Sequence, residues 1–251
     1  MSDRTKRILI ADDSETFLMY TTILLHRMGF EKITSAKNGV EAMKLLRILM
    51  PDILLLDIKM PQMDGITVLR NLKSDEHTSN IPVIMVTVVS DRKSIEECKR
   101  LGCSGYLTKP LKITELNNTL NNCISYEGGR KRKFLRTSFE QNVAVTHNGI
   151  TEEHPAVCLS EGGMYVRKRN PFKVGTEIEI ALPLKGEKPV NLRGTVIYVK
   201  GISGDVTNLL PGMAIEFKDL TNNDLSLLKI YITELLTEDI IERQDEPIIT
   251  K

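Results

Sequence analysis

The sequence contains no tryptophan, and its aromatics are limited to six tyrosines and six phenylalanines. So few rings argue against a surface that stacks successive bases of a single nucleic-acid strand. The formal net charge is only +1, so overall charge neither recruits nor repels a polyanion, and any such contact must come from local clusters. The four cysteines, Cys98, Cys103, Cys123 and Cys158, form no CxxC pair and no metal-ligand spacing. They read as reduced, mostly buried thiols of a cytoplasmic protein. No apolar run is long enough to span a bilayer, and the polar, basic N-terminus enters a short strand without a signal peptide. No membrane partner is expected, and neither internal repeats nor low-complexity segments occur.

What is present is an ordinary globular composition, 41% hydrophobic and 27% charged, over 251 residues, enough for one large or two ordinary domains. The first half alternates. Apolar strand runs at 7–11, 52–56, 83–87 and 104–108, with a weaker one at 33–36, are separated by segments of helical spacing. Phe17, Leu18, Ile23, Leu24, Leu25 and Met28 mark the first helix, and Val40, Met43, Leu46, Ile48 and Leu49 the second. Ile66, Leu69 and Leu72 mark the third, Ile95, Cys98 and Leu101 the fourth, and Leu116, Leu120, Cys123 and Ile124 the fifth. Five βα repeats predict a doubly wound, five-stranded parallel sheet over residues 1–125.

The pattern changes at Gly128-Gly129, within a linker at 126–131. From 132 to 238 short strands alternate with turns, with candidates at 139–146, 155–159, 164–168, 176–182, 191–200 and 211–217. Asn148-Gly149, Glu161-Gly162-Gly163, Asn170-Pro171, Lys185-Gly186 and Pro211-Gly212 supply turn signals. This predicts a small antiparallel β-barrel. An amphipathic helix at 221–237 covers one end, and an acidic tail follows at 239–251. A strand-rich second half with one helix offers no recognition helix, so DNA is not an expected partner.

Chemistry concentrates at the strand ends of the first half. Asp57 follows Ile53-Leu54-Leu55-Leu56, and Asp12-Asp13 follow Ile8-Leu9-Ile10-Ala11. Thr87 ends Val83-Ile84-Met85-Val86, and Lys109 follows Gly105-Tyr106-Leu107-Thr108. Open α/β sheets present ligands at the carboxyl ends of their strands. Three acids, a hydroxyl and a lysine there make a site for a divalent cation and a phosphoryl group. Taken singly, Asp13 before Ser14 reads as a helix cap and Lys109-Pro110 as a turn. An aspartyl phosphatase is the enzymatic rival, but such enzymes carry a second acid two residues after the nucleophile, where this chain has Lys59.

Asp12-Asp13, Asp57 with Met60-Pro61-x-Met63-Asp64-Gly65, Thr87 and Lys109-Pro110, in that order, resemble the receiver domain of two-component response regulators, a flavodoxin-like fold. The resemblance implies a signalling protein rather than an enzyme, with Asp57 accepting a phosphoryl group from a histidine kinase. It implies Mg²⁺ held by Asp12, Asp13, Asp57 and the backbone carbonyl of Lys59, charge neutralisation by Lys109, and a switch built from Thr87 and Tyr106. It also implies a cis Lys109-Pro110 bond and raises homodimerisation through the last receiver helices. Val88, after Thr87, is larger than receivers usually keep there, which predicts hindered attack of water on the acyl phosphate.

A second cluster opens the second domain. Arg130 to Arg136 hold five basic groups, and Arg132 and Arg136 make RxxxR. Downstream, Ser160 and Gly163 make SxxG between two strands. Guanidinium forks suit phosphates and guanine edges. This pair resembles the PilZ domain, a β-barrel that binds cyclic di-GMP, implying Arg132, Arg136, Ser160 and Gly163 as nucleotide contacts. The family motif has Asp or Asn two residues before the serine, where this chain has Cys158, a poor hydrogen-bond partner. Two readings follow: a phosphorylated regulator whose barrel binds cyclic di-GMP, or a phosphorylation-controlled adaptor whose barrel binds a downstream protein. Arg167-Lys168-Arg169 reads as a solvated strand end, or as a further phosphate-facing rim.

Overall fold

The computed structural model describes residues 6–88, 92–124, 134–184, 188–201 and 211–238. They fall into two compact units, residues 6–124 in the first and 134–238 in the second.

The first unit runs β1 (Arg7–Ala11), α1 (Glu15–Arg27), β2 (Lys32–Ala36), α2 (Gly39–Leu49), β3 (Ile53–Asp57), α3 (Gly65–Ser74), β4 (Val83–Thr87), α4 (Arg92–Arg100), β5 (Gly105–Thr108) and α5 (Ile113–Cys123). The strands form one sheet in the order β2-β1-β3-β4-β5, every pairing parallel. Parallel sheets carry helices on both faces, so their inner strands are apolar throughout rather than alternating. β3 and β4 obey this, with every residue buried, including Asp57 and Thr87. Local chemistry sets the helix starts. Ser14, Asn38 and Asp64 each accept a backbone N–H at the head of α1, α2 and α3.

The second unit is a closed six-stranded barrel in the order β10-β11-β8-β7-β6-β9. Its elements are β6 (Arg136–His147), β7 (Ile150–Ser160), β8 (Gly163–Arg167), β9 (Glu177–Leu182), β10 (Val190–Lys200), β11 (Gly212–Lys218) and α6 (Asn222–Thr237). Thr221 and Asp224 form a reciprocal capping box at the start of α6. The helix packs on β6 through an edge-to-face contact of Tyr231 with Phe139, ring centres 6.3 Å apart. α6 is the one helix among the described residues of this unit.

The parallel sheet and the barrel match the predicted fold class, and the main correction concerns β7. The sequence suggests a strand at 155–159, whereas β7 starts at Ile150 and pairs with β6 across the Asn148-Gly149 turn, both residues at positive φ. Thr151 to Glu153 are exposed and polar, so they carry no alternation to read. Pro155 is tolerated because this half of β7 pairs with β6 alone. No helix among the described residues is long and apolar enough to cross a membrane.

Candidate functional site

Asp12, just past β1, and Asp57, at the end of β3, are both buried, while Asp13 is exposed. Carboxylate oxygens of all three lie within 4.8 Å of one another. Asp13 does not cap α1. Ser14 does so, its Oγ accepting the Phe17 N–H at 3.3 Å, and Ser14 N–H in turn donates to Asp12 Oδ1 at 3.0 Å. Asp13 is thereby left beside the two buried acids.

Lys109 enters from the end of β5. Its Nζ lies 2.5 Å from Asp12 Oδ2 and 3.0 Å from Asp57 Oδ2, and it sits over the Phe17 ring at 4.3 Å. The Lys109 N–H donates to the Thr87 carbonyl at 2.9 Å, tying the ends of β4 and β5, and the Lys109-Pro110 bond is cis. Asp57 Oδ1 accepts the Ile58 N–H at 2.7 Å. Lys59 is exposed in the loop that follows, Tyr106 is half-buried against the sheet core, and Val88 is 67% exposed.

Burial works against the Lys109 ammonium, yet its contacts with Asp12 and Asp57 prevail and lift its pKa above the ordinary lysine value. Burial also lifts the Asp12 carboxyl. The pull of Lys109 and of the Ser14 N–H opposes this, and the Asp57 charge adds to it. Both shifts favour the protonated form, as expected where three carboxylates face one ammonium. The angle of the Lys109 pair leaves the buried Asp12 Oδ2 without a well-formed hydrogen bond. An under-satisfied oxygen within an all-oxygen cluster fits a hard divalent cation such as Mg²⁺.

The loop from Asp57 to α3 is tightly folded. Gly65 N–H donates to the Ile58 carbonyl at 2.9 Å, and a Cβ on Gly65 would meet the Asp57 carbonyl oxygen at 1.9 Å. The Asp64-Gly65 pair is therefore structural: one residue caps α3, the other lets the helix approach β3. Sequence reasoning missed Phe17 and Ser14, since one looks like a core position of a helix and the other like a spacer.

In the second unit the strand registers sort the residues by face. Thr137, Leu159, Met164, Ile215 and Val196 form one cross-strand row, each 0–4% exposed, lining the barrel interior. The adjacent row, on the exterior, is Arg136, Ser160, Gly163, Glu216 and Thr195. The structure thus brings three of the four predicted nucleotide residues into line. Arg132 lies outside the described residues. Arg136 is exposed, but Ser160 is buried and its hydroxyl donates to the Gly163 carbonyl at 2.9 Å, closing the turn. A Cβ on Gly163 would meet the Ile215 carbonyl oxygen at 2.2 Å. Phe134, just before Arg136, reaches the same turn, where a Cβ on Gly162 would meet its ring at 2.4 Å. Cys158 stands on the exterior between Ser138 and Tyr165. None of the four cysteines forms a disulfide; Cys98 is buried and the others are half-buried.

A family model described as the response regulator receiver domain matches residues 8–121, and one described as the PilZ domain matches residues 130–234. The polar-differentiation response regulator DivK of Brucella ovis is 34% identical over 116 residues, 46% of this chain and 94% of the relative. The chain belongs to the response regulator family. DivK of Brucella anthropi is 33% identical over 115 residues, 46% of this chain and 93% of the relative. Among solved structures, a putative response regulator from Chloroflexus aurantiacus is 26% identical, covering 48% of this chain and 98% of its own, with a TM-score of 0.46. A receiver domain of a histidine kinase from Syntrophus aciditrophicus is 30% identical, covering 51% and 96%, with a TM-score of 0.46. Receiver and PilZ domains are signalling rather than catalytic modules. This response regulator carries its acidic cluster within the receiver match and its RxxxR and SxxG motifs within the PilZ match.

Proposed function

We propose that this response regulator is phosphorylated on Asp57 by a histidine kinase and that its PilZ domain binds cyclic di-GMP. The observation that carries the first half is the convergence of Asp12, Asp13, Asp57 and Lys109 at the carboxyl ends of β1, β3 and β5. Aspartate attacks phosphorus poorly because both groups are anionic. Asp12, Asp13, Asp57 and the Lys59 carbonyl would hold Mg²⁺, which when bound supplies positive charge to the equatorial phosphoryl oxygens. Lys109 brings a fixed second charge, held in place by Phe17 and by its backbone bond to Thr87. The Asp57 carboxylate oxygen forms the bond to phosphorus as the bond from phosphorus to the kinase's histidine nitrogen breaks, and the released imidazole takes up a proton. Thr87 then serves as a hydroxyl donor to the phosphoryl group and Tyr106 moves with it, so one covalent charge biases a two-state element.

The second half is supported by the shared exterior row of Arg136, Ser160 and Gly163, with Arg132 as the second arginine of the motif. A specific observation favours the adaptor reading: Cys158 occupies the exterior position where the motif asks for a carboxylate or carboxamide. Calorimetry decides between them. Cyclic di-GMP is titrated into wild type and Arg136→Ala, with and without beryllofluoride. Heat of binding that is lost in Arg136→Ala supports the nucleotide reading, and no heat in wild type supports the adaptor. A change in affinity with beryllofluoride would show coupling, which linkage makes reciprocal.

A further inference from the structure

The exterior of the barrel continues past the motif residues. Next to the Ser160–Gly163 row comes Ser138, Cys158, Tyr165, Ala214 and Tyr198, and beyond it Arg167, Gly212 and Lys200. Arg167 is on the same face as Gly163, four residues along β8, which is about 13 Å at roughly 3.3 Å per residue. A dinucleotide can bridge that span.

Arg167 lines a groove of ≈720 Å³ together with Lys168, Arg169, Glu152 and His154. The charges there are unequal in kind. Lys168 is engaged: its Nζ lies 2.5 Å from Glu152 Oε2, 3.1 Å from His154 Nε2 and 4.9 Å from the centre of the Phe172 ring. No ion pair engages Arg136, Arg167 or Arg169 among the described residues. Arg167 and Arg169 are exposed and line the groove beside Glu152 and Glu153, and Arg136 stands across from Ser160 of the SxxG turn.

Tyr165 joins the two ends. A Cβ on Gly212 would meet its Cε1 at 2.9 Å and its hydroxyl at 3.0 Å, so the ring leans over Gly212, the cross-strand partner of Arg167, and away from the turn. Burial pushes the phenol up to about 12, so it stays protonated at any working pH. The exterior face thus carries Arg167 at one end of β8, Arg136 two strands across from Gly163 at the other end, and the packed Tyr165 ring on β8 between them. What it lacks is a polar group at Cys158 to read a base.

We propose that Arg167 is a guanine-reading residue: a cyclic dinucleotide anchored at Arg136 and the Ser160–Gly163 turn lies along β8 and meets the Arg167 fork with a guanine edge. This rests on the nucleotide reading above. Two parallel N–H donors match the O6 and N7 acceptors of guanine, whereas adenine presents an amino donor where guanine presents O6. The fork supplies the base discrimination that Cys158 does not.

The test is calorimetry on the full chain with cyclic di-GMP and cyclic di-AMP, comparing wild type, Arg167→Ala, Arg167→Lys and Arg169→Ala. Wild type should prefer the guanine nucleotide. Both Arg167 variants should lose tenfold or more in affinity for it and little for the adenine one, while Arg169→Ala stays within about threefold. Arg167→Lys is decisive because it keeps the charge and removes the fork. If wild type binds cyclic di-GMP and both Arg167 variants bind it equally well, the assignment is overturned and the nucleotide reading stands. Equal losses for both nucleotides also overturn it, leaving a bare charge effect. If wild type binds neither, the nucleotide reading fails and the assignment fails with it.

Discussion

Lys109 Nζ stands 3.0 Å from Asp57 Oδ2, although the two residues are 52 positions apart and β4 separates their strands. The same ammonium touches Asp12, so one cation partly neutralises two buried carboxylates. Replacing Lys109 by Met should leave those carboxylates without their buried counter-charge. Mg²⁺ affinity should rise, because a competing cation is gone, while phosphorylation by a small-molecule phosphodonor falls at least tenfold. Calorimetric Mg²⁺ titration and phosphate-affinity gels measure the two effects separately.

Gly65 tests the loop that carries Asp57. In Gly65→Ala the new methyl meets the Asp57 backbone, which no side-chain rotation relieves. Overpacking of this kind costs on the order of 1–3 kcal/mol. The variant should unfold at a lower temperature and phosphorylate more slowly, whereas Asp64→Ser, which keeps an N-cap oxygen, should match wild type in melting temperature.

Val88 is 67% exposed directly after Thr87. The receiver resemblance leads us to expect that a side chain of this size there crowds water approaching an acyl phosphate on Asp57. Val88→Ala should shorten the half-life of the phosphorylated protein severalfold. Equal half-lives would remove the idea.

His154 gives the barrel a pH dependence. Burial depresses its pKa below the usual histidine value, Lys168 adds to this, and Glu152 opposes it. The unfolded chain therefore takes up a proton at about pH 6.5, where the folded barrel resists it. Stability is full above that value and falls as pH drops toward the folded value. Melting temperatures should decline from pH 7 to pH 5, and His154→Gln should flatten that slope.

The receiver was legible because its chemistry sits at strand ends that the sequence marks with unbroken apolar runs. β3 and β4 are buried on both faces, so no alternation was needed to find them. The barrel was less legible. The first half of β7 is polar and exposed, and closure depends on Ala144, Val145 and Thr146 of β6 pairing with Ala181, Ile180 and Glu179 of β9, a contact with no local signature. The role of Ser160 was hidden for a similar reason. Its hydroxyl closes a turn with Gly163, which only the folded geometry reveals. Ser160→Ala should cost about 1 kcal/mol of barrel stability for that bond.

The most direct measurement is incorporation of label from a radiolabelled small-molecule phosphodonor with Mg²⁺, comparing wild type with Asp57→Asn. Stable, acid-resistant and base-labile label in wild type, absent from Asp57→Asn and strongly reduced when Mg²⁺ is chelated, is the predicted result. Equal labelling of both proteins would contradict the assignment of Asp57 as the phosphoacceptor.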